Sequence, residues 1–259
     1  MPEITSTQNA RVKALRALRE PKTRRKAGLM LIEGEKMLGE ARACGLRVSD
    51  VLYDDTRIDA ATAGPGAVSV SAHVLESLCE TVSPQGIVAA VEPPKQLALA
   101  DVIAGARAKG RALLIAALDG VQDPGNVGTI LRTADAFHAD GMFLVNGCAD
   151  LYNPKTLRAT MGAVFRCPVW TVGAEELSAL LKKSGIPLYG AALREDTLDA
   201  RAVDYNRCAI AIGSEGRGLT EGVLALCDRT IKIPMSEHCE SLNAAAAATV
   251  LLWEAARND

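Results

Sequence analysis

Residues 209–219, Ala209-Ile210-Ala211-Ile212-Gly213-Ser214-Glu215-Gly216-Arg217-Gly218-Leu219, read as a buried strand running into a loop with three glycines in six residues. A short unbroken apolar run that stops at a glycine cluster is the pattern of a strand covered on both faces. The pattern recurs on either side. Apolar runs at 113–118, 142–145, 169–172, 188–192 and 230–233 are predicted strands, and helical spacing marks 127–137, 154–162, 174–183, 220–227 and 242–257. Such alternation predicts an α/β fold with a parallel sheet and helices on both faces.

Upstream lies a smaller alternation, with strands predicted at 29–32, 48–53, 68–70 and 86–91 and helices at 35–43 and 72–79. Glu92-Pro93-Pro94-Lys95-Gln96 then breaks the pattern, because consecutive prolines continue neither a strand ladder nor a helix interior. The predicted organisation is a small α/β domain over 1–92 and a larger one over 97–259.

Charge is unevenly placed along the chain. The net formal charge is −2, yet residues 11–26 carry eight basic side chains against the single acid Glu20. Within that run Val12, Leu15 and Leu18 recur at helical spacing, giving an amphipathic helix with a basic outer face. A run of this kind is either a solvated helix face or an arm that contacts phosphates. The composition, 49% hydrophobic and 23% charged, is that of a folded protein with a sizeable core. The longest apolar runs fall well short of the roughly 20 residues that cross a bilayer. The opening residues lack the pattern of a secretory signal, so a cytoplasmic location is expected. Seven cysteines are scattered without a Cys-x-x-Cys pair, which points to reduced thiols. His238 beside Cys239, with Cys227 nearby, is poor ligand spacing, and no metal is expected.

Three segments lie just past predicted strands, the edge at which open α/β sheets bind ligands. In the first, Asp123-Pro124-Gly125-Asn126-Val127-Gly128-Thr129-Ile130-Leu131-Arg132, the Pro124-Gly125 pair suits a type II turn and Asn126 suits a helix cap. Taken alone it is a turn, a cap and a surface arginine. The second is the glycine loop, where backbone amides can approach a ligand and Glu215 sets a carboxylate among them. Its spacing is not the dinucleotide fingerprint, and it lacks the Gly-Lys-Ser/Thr ending of a phosphate loop. The third runs Ile233-Pro234-Met235-Ser236-Glu237-His238-Cys239-Glu240-Ser241-Leu242-Asn243, with Ser241 a candidate N-cap and Asn243 in the first turn of the last helix.

In order and spacing these segments resemble the SpoU (TrmH-like) RNA 2′-O-ribose methyltransferases of the SPOUT class. The family's D-P-x-N-x-G-x-x-x-R matches 123–132, its G-x-E-G-x-G matches 213–218, and its I-P-M followed by S-L-N matches 233–243. Asn153-Pro154-Lys155 with Arg158, Gly162 and Phe165 is similar to the family's segment between the first two motifs. The resemblance covers 111–257 and is weaker upstream, where I-T-S-x-x-N at 4–9 and the phrase at 28–38 resemble a small ribosomal-protein-like RNA-binding domain. Ala10 stands where relatives often have proline, and Glu237 stands where glycine is usual.

The resemblance implies a C-terminal parallel-sheet domain whose last strands and helix thread a trefoil knot, a topology no sequence pattern shows. It implies S-adenosylmethionine bound against Leu193, Gly213, Gly216, Ile233, Met235 and Leu242, and a homodimer packed through the knot region with the small face at 244–248. It implies Arg132 as the main catalytic residue, with Asn126, Glu215, Ser241 and Asn243 holding it and the ribose. The family's arginine is proposed as general base, but a guanidinium offers only donors, so stabilising a developing alkoxide asks less of it. RNA contacts are expected from Arg11, Lys13, Arg16, Lys22, Arg24, Arg25, Lys26 and Arg158, with ribosomal RNA as substrate. The alternatives are a transfer-RNA 2′-O-methyltransferase and a non-catalytic RNA-binding protein of the same fold. The latter would be free to lose Arg132 or Asn243, and this chain keeps both.

Overall fold

The computed structural model describes residues 2–81, 83–194, 196–238 and 241–257. The chain forms two compact units, one of Met1–Lys95 with Asp150–Arg166, the other of Gln96–Ala149 with Cys167–Asp259. Residues 150–166, placed by the sequence reading in the larger domain, therefore cluster with the first unit.

The first unit opens with α1 (Ala10–Ala17) and α2 (Pro21–Ala27), followed by β1 (Met30–Glu33), α3 (Glu35–Ala43), β2 (Val48–Tyr53), α4 (Ala60–Ala63), β3 (Val68–Ser69), α5 (Ala72–Glu76) and β4 (Ile87–Val91). Its sheet has the order β1-β4-β2-β3, with β4 antiparallel to both neighbours and β2 parallel to β3. The basic run is two helices, not one, because a proline inside a helix removes a hydrogen bond and clashes with the preceding turn. Pro21 sits instead at the start of α2, where its missing N–H costs nothing. Val12, Leu15 and Leu18 lie in the core with Leu31, Leu52, Val74 and Val88, as their spacing predicts.

Arg24 is turned inward and only 5% exposed. Its guanidinium donates to the carbonyls of Leu18 and Arg19, the open end left by α1, and pairs with the Asp150 carboxylate. A residue expected on the RNA face is thus a bolt holding two helix ends and the 150–166 segment together.

The second unit contains α6 (Leu99–Ala108), β5 (Leu113–Asp119), α7 (Pro124–Ala136) and β6 (Gly141–Val145). Next in the chain, α8 (Pro154–Thr160) belongs to the first unit, packed on β1. The second unit resumes with β7 (Val169–Val172), α9 (Ala174–Ser184), β8 (Leu188–Ala191), β9 (Leu198–Asp199), β10 (Arg207–Gly213), α10 (Glu221–Leu224), β11 (Arg229–Lys232) and α11 (Ala244–Ala256). The strand order is β7-β6-β5-β10-β8-β11-β9, and every neighbouring pair is parallel. β5, with all its residues buried, is an interior strand next to the central β10, as its continuous apolar run requires.

Pattern reading passes over α6, though Leu99, Val102, Ile103 and Ala106 recur at helical spacing and pack on the core with Phe143, Leu177 and Ala209. It also misses β9, whose two residues at the sheet edge carry no periodic signal. The chain runs outward from β5 through β6 to β7, crosses to β8 and β9 on the far side, and then lays β10 between β5 and β8. That reversal is the crevice where open α/β sheets hold ligands.

Candidate functional site

The first and second motifs leave the sheet at this reversal, after β5 and β10. Asp123, not Asn126, caps α7: its side chain accepts from the Asn126 backbone N–H at 2.9 Å, and Pro124 begins the helix rather than a turn. With the cap supplied by Asp123, the Asn126 side chain is released to do something else. Its Nδ2 donates to Glu215 Oε1, and its Oδ1 accepts from Asn243 Nδ2 at 3.3 Å. Asn243 Nδ2 also lies 3.3 Å from the same Glu215 oxygen.

Asn243, not Ser241, caps α11. Its Oδ1 accepts from the backbone N–H groups of Ala245 and Ala246 at 2.9 and 3.4 Å. One amide therefore caps a helix with its oxygen and joins the polar cluster with its nitrogen. Residues of all three motifs meet at the Glu215 carboxylate. Cys239 and Glu240 of the third motif lie outside the described residues.

The glycine loop is closed on itself by paired backbone bonds between Ser214 and Gly218, at 3.2 and 2.9 Å. Gly218 has a φ of 66°, and a Cβ on Gly213 would run into the Gly218 backbone, so both glycines are demanded by the loop. Gly216 is different, since a Cβ there meets nothing within 4 Å.

Beside the loop is a cavity of about 490 Å³, a size usual for small-molecule sites. Leu193, Gly213, Ile233, Met235 and Leu242 line it, as do Glu215 and Ser241. Gly216 lies in the same loop but is not among the lining residues. Leu193 and Met235 remain 66% and 36% exposed at the cavity, apolar surface that a ligand would cover. Sequence reading missed Arg194, Arg217, Glu221 and Lys232, which add charge of both signs to the lining. A glycine-edged wall, apolar sides and both charges fit a ligand with a flat ring system and a zwitterionic tail.

Arg132 lies farther along α7, exposed, with no hydrogen bond or ion pair to another described residue. It is not part of the Asn126–Glu215–Asn243 cluster. Six residues on an α-helix turn its side chain about 120° from that of Asn126.

In the first unit the expected RNA contacts divide. Arg11 pairs with Asp50 at 2.6 Å, Arg16 donates to Ser77 Oγ at 2.7 Å, and Arg158 lies 3.6 Å from the Glu33 carboxylate. Arg24 is buried, as described above. Lys13, Lys22, Arg25 and Lys26 point to solvent. Burial pushes Cys79 and Cys208 up to about 12 and Cys227 up to about 11, so these three stay protonated thiols rather than nucleophiles. Among the described residues, no helix is long and apolar enough to cross a membrane.

Residues 113–253 match the SpoU rRNA methylase family and residues 9–89 match an MRM3-like substrate binding domain. The chain is 34% identical over 255 residues to the 23S rRNA (guanosine(2553)-2′-O)-methyltransferase RlmP of Bacillus subtilis, covering 98% of each chain. It is 32% identical to the 23S rRNA (uridine(2479)-2′-O)-methyltransferase of Streptomyces viridochromogenes, over 98% of this chain and 91% of that one. The crystal structure of the SpoU methyltransferase AviRb from S. viridochromogenes with AdoMet superposes with a TM-score of 0.83 at 30% identity, covering 97% of this chain and 98% of that one. An AdoMet-bound rRNA methyltransferase from Sinorhizobium meliloti gives 0.84 at 30% identity, over 98% and 97%. With a matching family model, relatives along its whole length and the three motifs gathered at one sheet edge, this chain belongs to the SpoU rRNA methylase family.

Proposed function

We propose that this protein transfers a methyl group from S-adenosylmethionine to a ribose 2′-hydroxyl of ribosomal RNA. The observation that carries the reading is the Asn126–Glu215–Asn243 cluster, which ties all three motifs together beside a cavity of cofactor size. When bound there, S-adenosylmethionine supplies an electrophilic methyl on a sulfonium. The chain's own residues position the acceptor, and positioning in an in-line displacement is worth on the order of 7–11 kcal/mol. Leu193, Ile233, Met235 and Leu242 exclude water from one side, and the loop at Gly213 presents backbone at close range. Arg132, with its donors unspent, stabilises the alkoxide that develops as the hydroxyl proton leaves. Asn126 and Asn243 hold Glu215 in place, and Ser241 stands at the cavity wall.

Ribosomal RNA as substrate is supported by the named activities of the two relatives and by the substrate-binding domain match over 9–89. Phosphate contacts fall to the four solvent-facing cations, Lys13, Lys22, Arg25 and Lys26. Deleting the N-terminal helices is not the way to test them, because Val12 and Leu15 are core residues. Replacing the four cations together with alanine flattens the slope of log affinity against log salt while the fold survives. Incubating the protein with ribosomal RNA and labelled cofactor, then locating the label by mass spectrometry, decides the reaction. Label on a base, or on transfer RNA alone, overturns the reading.

The assembly is read as a homodimer. Of the small-residue stretch 244–248, Ala244, Ala245 and Ala248 are buried inside the chain, and Ala246 is exposed. The exposed side of α11 also carries Val250 and Trp253, 41% and 55% exposed, with Trp253 5.7 Å from the Phe137 ring. A half-exposed tryptophan among apolar neighbours suits a second copy of this face. Trp253→Glu then yields a monomer in light scattering. Family membership supports the trefoil knot: from β11 near one edge of the sheet the chain crosses back to pack α11 on α7. Action on ribosomal RNA supports a cytoplasmic location.

A further inference from the structure

Asp119 ends β5, an otherwise apolar strand, and is 1% exposed. A carboxylate is costly to bury unless it is fully bonded. Its partners are the Thr220 backbone N–H at 2.6 Å and Asn146 Nδ2 at 2.8 Å. Asn146 Nδ2 also lies 3.3 Å from Thr220 Oγ1, which in turn caps α10 by accepting from the Val223 N–H. Asn146 holds a left-handed backbone, φ 52°, a conformation that non-glycine residues adopt at some expense. One buried carboxylate thus gathers the chain ends that leave β5, β6 and β10.

The loop after β10 lines the cavity through Ser214, Glu215, Arg217 and Leu219. The Ser214–Gly218 bonds close its near end. Its far end, at Thr220, is fastened to the sheet by Asp119. Neither Asp119 nor Asn146 lines the cavity.

We infer that Asp119 is a positioning residue: through Thr220 and Asn146 it pins the glycine loop in the shape that receives the cofactor and presents Glu215. The inference rests on reading the cavity as the cofactor site.

Two readouts test it, calorimetric titration of S-adenosylmethionine and the rate of trypsin cleavage after Arg217 relative to cleavage after Lys109. Asp119→Ala is expected to weaken cofactor binding by about tenfold and to accelerate the Arg217 cut by a similar factor. Asn146→Asp sets two carboxylates against each other and is expected to do comparable damage. The pair D119N/N146D restores an amide–carboxylate contact and is expected to recover both readouts to within about threefold of wild type. A double variant no better than N146D, or D119A with wild-type affinity and cleavage, overturns the inference. If D119A fails to fold, the N146D and double-variant comparison decides alone. If wild-type protein does not bind S-adenosylmethionine, the cofactor reading falls, while the pattern of Arg217 cleavage still decides whether Asp119 anchors the loop.

Discussion

The basic helices of the first unit and the motif cluster of the second are both rich in polar side chains, and in each the sequence suggests the wrong job for some of them. Among the eight cations at 11–26, Arg24 is buried against Leu18, Arg19 and Asp150, and Arg11 and Arg16 are tied to Asp50 and Ser77. In the motif cluster the reverse happens. Asn126, which reads as a cap, is relieved by Asp123 and faces Glu215. The lesson is that a charge or an amide is assigned by what else competes for the same backbone group. An open helix end at Leu18 recruits an arginine that would otherwise face solvent, and a better-placed aspartate frees an asparagine.

Four changes break or sharpen this contrast. The largest effect is expected from Arg132→Ala, which removes a donor needed only as charge develops. Methyl transfer should fall by about a hundred- to a thousandfold, with cofactor affinity within about twofold of wild type. Single-turnover assays beside calorimetry check this, and turnover like that of wild type would return Arg132 to an ordinary surface arginine. Next, Arg24→Ala should cost about 2–3 kcal/mol in denaturant unfolding, because two carbonyls and a carboxylate lose their partner, with the salt dependence of RNA binding unchanged. A flatter salt slope at full stability would place Arg24 on RNA after all.

Asn243 has two jobs that one substitution separates. Asn243→Ser keeps a good cap oxygen and, being shorter, loses the donor to Asn126 and Glu215. Unfolding should stay within about 0.5 kcal/mol of wild type while turnover falls about tenfold. Equal losses of stability and turnover would mean the residue is only a cap. The smallest effect is that of Lys26→Ala, which should lower the log–log salt slope by about 0.7–0.9 and leave unfolding untouched.

Much of this was legible in the chain. Continuous apolar runs at 113–118 and 209–212 read correctly as interior strands, since only residues covered on both faces can dispense with polar alternation. The spacing of 123–132, 213–218 and 233–243 named the family, and residues of the second and third segments line the cavity beside the loop. Asp119 drew no notice in the sequence, because its partners Asn146 and Thr220 lie 27 and 101 residues further on and no local pattern links them.

By itself, then, the sequence determined the α/β alternation, the position of the loops past the strand ends and the set of groups available to them. Tertiary structure alone decided that residues 150–166 join the first unit, that Arg24 turns inward, and that Asp123 and Asn243 are the caps. Propensity and periodicity are local, whereas each of these outcomes is a competition for one hydrogen-bonding partner among residues that meet only when the chain is folded.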